Sequence, residues 1–247
     1  MQKLRKGLLV GFLALGFLAA LGLIIWVSAT HTASAEAQEA LKKADVDNGN
    51  WYGFGADEHS SLSVGVVLYP GANVSSDAYA LLAQRLSEES GALVAVVRVP
   101  LNLAFLDRDA AEEVIEAYPG VNKWVVGGHS LGGAVGASFA EANPKVYGLL
   151  LWASRPSRDT DLSDRELEVT SIHGSQDGLI DSASIEEART RLPASTVYVE
   201  IEGANHAYFG DYRVQKDDGE PTISHDEARA EIVRASSELV ERVRSMG

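Results

Sequence analysis

An α/β domain, with a mostly parallel, twisted sheet and helices on both faces, is predicted by three observations. Short continuous runs of Val, Ile and Leu recur along the chain without polar alternation, which is the pattern of strands buried on both faces. Segments with apolar residues at helical spacing separate these runs, giving the strand–helix rhythm of a parallel sheet. The 247 residues are enough to bury such a core without disulfides or a structural metal.

Taken in order, residues 36–43 read as a short polar helix or linker, and Asp47-Asn48-Gly49 signals a turn whose second arm is residues 50–54, a small hairpin. Strands are expected over residues 62–69, 93–97, 124–127, 146–152, 168–172 and 196–201, each a β-branched or leucine-rich run. Helices are expected between them. Residues 77–90 carry Tyr79, Leu82 and Leu86 on one face and stop at Gly91; residues 108–118 stop at Pro119-Gly120; residues 131–143, 184–192 and 226–244 follow. Parallel sheets place their chemistry at the C-terminal ends of the strands. The loops that matter therefore follow Tyr69, Val97, Gly127, Trp152, Ile172 and Ile201.

Composition narrows the chemistry. The chain has no cysteine, which excludes thiol nucleophiles, zinc fingers, iron–sulfur centres and disulfide scaffolds. Its net charge of −14 argues against nucleic acid, which needs clustered Lys and Arg. That charge is unevenly spread. Residues 1–35 hold Lys3, Arg5 and Lys6 and no acid, so the body from residue 36 to 247 is more acidic than the average. Residues 8–27 are uncharged and span about 30 Å as a helix, one bilayer core. The basic cluster before them and Trp26 at their far end set an orientation with the body outside the cytoplasm. Two forms fit. Ala33-Ser34-Ala35 suits cleavage of a signal peptide, and the length of the apolar run suits an uncleaved anchor, which is slightly favoured.

The loop after residues 124–127 reads Gly127-Gly128-His129-Ser130-Leu131-Gly132-Gly133 and contains Gly-x-Ser-x-Gly. The pattern alone is weak, but it falls between an apolar strand and a helix, where a sharp turn presents a serine for attack. Ser130 is the candidate nucleophile, and a serine hydroxyl needs a base. Of the six histidines, His206 follows the 196–201 strand at its C-terminal end and is the candidate base. His225 opens a helix and reads as a surface residue; His129 packs beside the elbow; His173 is structural; His31 and His59 have no catalytic placement. The acid should follow the 168–172 strand. Asp177 is favoured, with Asp181 four residues on as its competitor. It would hold the imidazole tautomer and stabilise its charged form. An oxyanion needs two aimed N–H donors, expected from Leu131 and from Ala72 in Pro70-Gly71-Ala72-Asn73, with Asn73 adding a side-chain contact.

These residues resemble the α/β-hydrolase superfamily, and more narrowly a compact bacterial family, mostly uncharacterised, whose members often begin with one apolar span. Tyr69-Pro70-Gly71, Pro100-Leu101-Asn102-Leu103, Gly127 to Gly133, Asp177-Gly178 and Gly203-Ala204-Asn205-His206 carry the resemblance, as do Phe209-Gly210-Asp211-Tyr212, Gln215 and Asp218-Gly219. It covers nearly the whole body from about Ala40. It implies an α/β-hydrolase fold with a Ser–Asp–His triad and favours the anchor over the cleaved signal. No substrate comes with it.

The segment from Ala153 to Glu166 is short and charged, so no large lid domain is expected. The loop from Ala207 to Thr222 is the longest irregular piece, and its Tyr208, Phe209, Tyr212 and Gln215 either wall an acyl pocket or pack beneath the last helix. The leading expectation is a serine hydrolase of carboxylic esters, using a small-molecule or lipid ester and needing no metal or organic cofactor. An acyltransferase acting on envelope lipids or glycans keeps the fold and changes the acceptor. A non-catalytic binding protein keeps the scaffold alone. Nothing in the residues sets an oligomeric state.

Overall fold

The structure, a computed structural model, describes Gly22, residues 29–56 and residues 63–247. Lys3, Arg5, Lys6, the apolar run with Trp26, and His59 lie outside the described residues. Eight strands form one sheet: β1 (Val46–Asp47), β2 (Trp51–Phe54), β3 (Val64–Tyr69), β4 (Leu93–Val97), β5 (Lys123–His129), β6 (Val146–Trp152), β7 (Glu168–Gly174) and β8 (Val197–Ile201). Their spatial order is β1-β2-β4-β3-β5-β6-β7-β8. The expected hairpin is present as antiparallel β1 and β2, and β2 runs antiparallel to β4. From β4 across to β8 every pairing is parallel. The loops after β3 to β8 therefore gather along one edge of the sheet.

The helices are α1 (Ala35–Leu41), α2 (Ala80–Ser90), α3 (Ala110–Ala117), α4 (Leu131–Ala142), α5 (Ser182–Ala188) and α6 (His225–Ser245). Period-2 alternation within each strand divides the core between two faces. Val66, Leu68, Val94 and Leu150 pack under α1, α2 and α6, whereas Val67, Tyr69, Ala95 and Leu149 pack under α3 and α4. Each fully buried Val or Leu among them contributes about 1.5–3 kcal/mol of transfer free energy. Between β6 and β7 the chain makes only a short irregular connection, and the described residues form no large lid.

Several boundaries differ from expectation for local reasons. β5 continues to His129, because Gly128 and His129 still pair with Tyr69, Leu151 and Trp152 in the neighbouring strands. The expected helix over residues 77–90 begins as a 3-10 turn, Ser76–Tyr79, before α2. α5 begins two residues early, because the Asp181 carboxylate accepts from Ser184 N at 2.8 Å and caps it. α6 begins at His225 with a reciprocal Ser224–Glu227 capping box.

Residues 31–34 are stitched into the body. His31 and Val74 form a parallel bridge and Ala33 and Tyr212 an antiparallel one. Ser34 N donates to Asp211 O at 2.7 Å, and the Ser34 hydroxyl caps α1. The segment expected as a short helix or linker is thus the capped helix α1, Ala35–Leu41, with Ala37 and Ala40 buried. Among the described residues no helix is long and apolar enough to cross a membrane.

Candidate active site

At the end of β5 the chain turns sharply into α4. Ser130 sits at the turn with φ 52° and ψ −121°, a backbone state that costs about 1–3 kcal/mol for a residue with a side chain. The surroundings hold it there. Ser130 N donates to Trp152 O at 2.9 Å, and Ser130 O accepts from the Ser154 hydroxyl at 2.6 Å and from Gly133 N. The turn fits only because its flanks are glycines. A Cβ on Gly128 (φ 151°) would lie 2.2 Å from Tyr69 O, and one on Gly132 would lie 2.3 Å from the same oxygen. Ser130 therefore heads a 12-residue helix whose dipole favours negative charge at this end.

The loops after β7 and β8 bring His206 and Asp177 together. His206 Nδ1 and Asp177 Oδ2 are 2.8 Å apart, and both side chains are almost fully buried. The other oxygen, Asp177 Oδ1, accepts from Leu179 N at 2.9 Å and Ile180 N at 2.8 Å, which fixes the carboxylate plane. Asp181 touches neither; it is spent on the α5 cap. The pairing occupies Nδ1 and leaves Nε2 as the remaining ring nitrogen. Among the described residues no hydrogen bond joins the Ser130 hydroxyl to the His206 ring, a contact that commonly tightens only around substrate.

Asp218 ties the two loops to each other. Its Oδ1 accepts from His206 N and from Gly178 N, each at 3.2 Å, and from Gly219 N at 2.8 Å; its Oδ2 accepts from Ala207 N at 2.9 Å. One carboxylate so holds the backbone on both sides of the His206–Asp177 pair. The sequence marks Asp218-Gly219 but assigns it no task, because three of its four partners lie 11–40 residues away.

The two residues expected to supply oxyanion donors are half-buried at the C-terminal edge of the sheet. Leu131 is the first residue of α4, so its N–H has no partner within the helix. In the turn after β3, Gly71 N donates to the Tyr79 hydroxyl and Asn73 N to Asn102 O. That leaves Ala72 N as the turn's N–H without an acceptor among the described residues. Asn73 departs from expectation. Its Nδ2 donates to Ala29 O at 3.0 Å and its Oδ1 accepts from the Thr30 hydroxyl at 3.1 Å, so the side chain serves the N-terminal segment and not a bound substrate.

Behind the elbow, His129 is fully buried. Its Nδ1 is 2.9 Å from the Tyr79 hydroxyl, which itself accepts from Gly71 N. The hydroxyl thus bridges Gly71 N and the imidazole, and burial of the ring favours its neutral form. Its ring lies 4.5 Å from the His206 ring and stacks on Phe209. Burial, reinforced by the neighbouring His206, pushes its pKa well below the ordinary histidine value. The sign of the consequence follows. The unfolded chain binds a proton near pH 6.5 that the folded chain refuses, so stability is complete above about pH 6.5 and declines below it. His225, also lowered by burial, acts the same way. Urea unfolding from pH 7.5 to 5.5 should show His129→Gln losing part of the wild-type slope, which is at most about 1.4 kcal/mol per pH unit for one site. An unchanged slope would mean that His129 is not held neutral.

The other histidines are placed as follows. His173 is buried with Nε2 3.3 Å from Glu200 Oε2, a structural position. His31 lies against Tyr212. His225 is half-buried, stacked on Tyr208 with ring centroids 4.6 Å apart, and is more than a surface residue. Phe209 is buried in the core, and the half-buried Tyr208 donates its hydroxyl to Ile223 O, so both pack beneath α6. Among the described residues no cluster of three or more His, Asp or Glu side chains could hold a metal ion.

Comparison with known proteins agrees with this architecture. The model of the Alpha/beta hydrolase family matches residues 65–230. No curated protein matches the chain. Among solved structures, the chain is similar to a dienelactone hydrolase-like promiscuous phosphotriesterase from metagenomic libraries, at 18% identity over 80% of this chain and 95% of that one, TM-score 0.60. An esterase of Pyrobaculum calidifontis is 18% identical over 78% and 80% of the respective chains, TM-score 0.56. A monoacylglycerol lipase of Paleococcus ferrophilus is 17% identical over 76% and 98%, TM-score 0.56. At these identities the likeness is one of fold. The family match spans most of the chain and includes the elbow and the His206 loop: the chain belongs to the alpha/beta hydrolase family and carries the fold of its hydrolytic enzymes.

Proposed function

We propose that this protein is a serine hydrolase of carboxylic esters, with Ser130 as nucleophile, His206 as general base and acid, and Asp177 as the group that orients and charges the imidazole. The observation that carries the reading is the buried His206–Asp177 pair, 2.8 Å long and made through Nδ1. It leaves Nε2 to take the Ser130 proton as Oγ bonds to the acyl carbon. The ester carbon–oxygen bond then breaks, and the leaving alcohol receives that proton from Nε2. Water adds to the acyl-enzyme with His206 again as base, releasing the acid and restoring the serine. Leu131 N–H and Ala72 N–H would hold the oxyanion. Solved structures of this fold described as esterases agree with the ester class.

The same reading keeps the protein attached through residues 8–27, with the catalytic body outside the cytoplasmic membrane. The uncleaved form is supported by the bonds of residues 31–34, since cleavage after Ala35 would remove the Ser34 cap of α1 and both bridges. A fluorophosphonate probe tests the chemistry. The wild-type chain should be labelled on Ser130, and Ser130→Ala should lose both labelling and p-nitrophenyl butyrate hydrolysis. A folded wild-type chain inert to both would reject the assignment.

A further inference from the structure

We infer that the mouth of the active site is held against the bilayer, and that the substrate is an acyl ester carried in that bilayer. This rests on the proposed serine chemistry and on residues 8–27 as the anchor. Two independent features point to it, one in the sequence and one in the described residues.

The first is the tether. Only Ser28 separates Val27, the end of the apolar run, from Ala29. Two backbone steps reach about 7–8 Å at most. Ala29 O is bonded to Asn73 Nδ2, and His31 bridges to Val74, so the chain joins the body at the turn that contains Ala72. The body has no slack with which to stand away from the membrane, and its attachment point is the active-site edge itself.

The second is the distribution of exposed apolar side chains. Of the six large hydrophobic residues exposed among the described residues, Val197 alone lies at the start of a strand. Leu101, Phe105 and Leu106 follow β4, Leu179 follows β7 and Val214 follows β8. All five are 41–54% exposed, and all follow the C-terminal ends of strands, the edge that also carries Ser130, His206 and Asp177. The loop with Leu101 also meets the turn on which the tether is fastened, since Asn102 O accepts from Asn73 N. An apolar rim around a catalytic edge, on a body as acidic as this one, suits partitioning into the interface and not electrostatic attraction to it. Ester carbonyls of acyl lipids sit at the boundary between headgroups and chains, within reach of such a rim. With no lid over the site, the membrane itself would cover it.

The chain's lack of cysteine makes the test clean. Full-length Phe105→Cys, Val214→Cys and Ser195→Cys, each carrying one environment-sensitive fluorophore, would be reconstituted in phosphatidylcholine vesicles with brominated acyl chains. Ser195 is exposed just before β8, on the opposite edge. Quenching of about twofold or more is expected at positions 105 and 214 and almost none at 195, because interfacial burial reaches only about 5–10 Å into the bilayer. In parallel, Phe105→Gln/Leu106→Gln should lower the rate on a long-chain ester in vesicles, relative to a soluble short-chain ester, by about tenfold. Absent quenching at 105 and 214, quenching at 195 instead, or an unchanged ratio would overturn the inference while fluorophosphonate labelling of Ser130 persists. Loss of that labelling in the wild-type chain would instead overturn the hydrolase reading beneath it.

Discussion

Asp177→Asn should lower kcat on p-nitrophenyl butyrate by about 10⁴-fold, equivalent to about 5.5 kcal/mol of transition-state stabilisation, with little change in the folded state. The amide oxygen can still accept from Leu179 N and Ile180 N, as Asp177 Oδ1 does at 2.9 and 2.8 Å. The turn should survive. What changes is the atom facing His206 Nδ1, now an N–H donor where a carboxylate oxygen stood. Nδ1 must become the acceptor, the ring proton moves to Nε2, and Nε2 can no longer take a proton from Ser130. Nor does any negative charge remain to stabilise the imidazolium. Asp181→Asn is the matched control. Asn caps helices as well as Asp does, so kcat should stay within about twofold. Kinetics of both variants, with circular dichroism to check folding, decide the matter; large loss in Asp181→Asn with a mild effect in Asp177→Asn would reverse the assignment.

That pair of residues also shows where sequence reasoning reaches its limit. Both aspartates follow the same strand, and both sit in turn-like surroundings. The expected helix began at Ser184, which left Asp181 unassigned. Started at Ser182, the helix makes Asp181 its cap and releases only Asp177 for His206. A two-residue boundary therefore separated an open choice from a closed one. The strands were legible because a parallel sheet covered on both faces demands unbroken apolar runs. The elbow was legible because a strained serine needs glycines on both sides. Asn73 was not, since its partners Thr30 and Ala29 lie 43 and 44 residues earlier, in a segment read as leader or linker. The Tyr79–His129 bond across 50 residues and the three distant N–H groups gathered by Asp218 were hidden for the same reason. Periodicity reports which face a residue occupies, not which polar atom it meets there.

The second large effect expected is on stability. Arg229→Met should destabilise the protein by about 3–5 kcal/mol, a sizeable part of the 5–15 kcal/mol typical of a domain. Arg229 and Asp211 are each 2% exposed and form an ion pair between α6 and the loop that follows His206. A second arm of the guanidinium reaches Asp226, which is open to solvent. Removing the arginine leaves the Asp211 carboxylate buried with only His225 Nε2 at 3.9 Å nearby, and an uncompensated buried charge costs far more than the pair contributed. The residue is also a junction: Asp211 N donates to Ala78 O at 2.7 Å and Asp211 O accepts from Ser34 N. Charge and packing can be separated by the double variant Asp211→Asn/Arg229→Met. Deleting both charges should recover about 2 kcal/mol or more of the loss, a coupling expected only between groups in contact. Denaturant unfolding of the four members of the cycle measures it. Strictly additive losses would mean that the two groups do not compensate one another. If coupling is found, the activity of Arg229→Met should fail at lower denaturant than its global unfolding, because the loop that this pair secures is continuous with His206 and opens first.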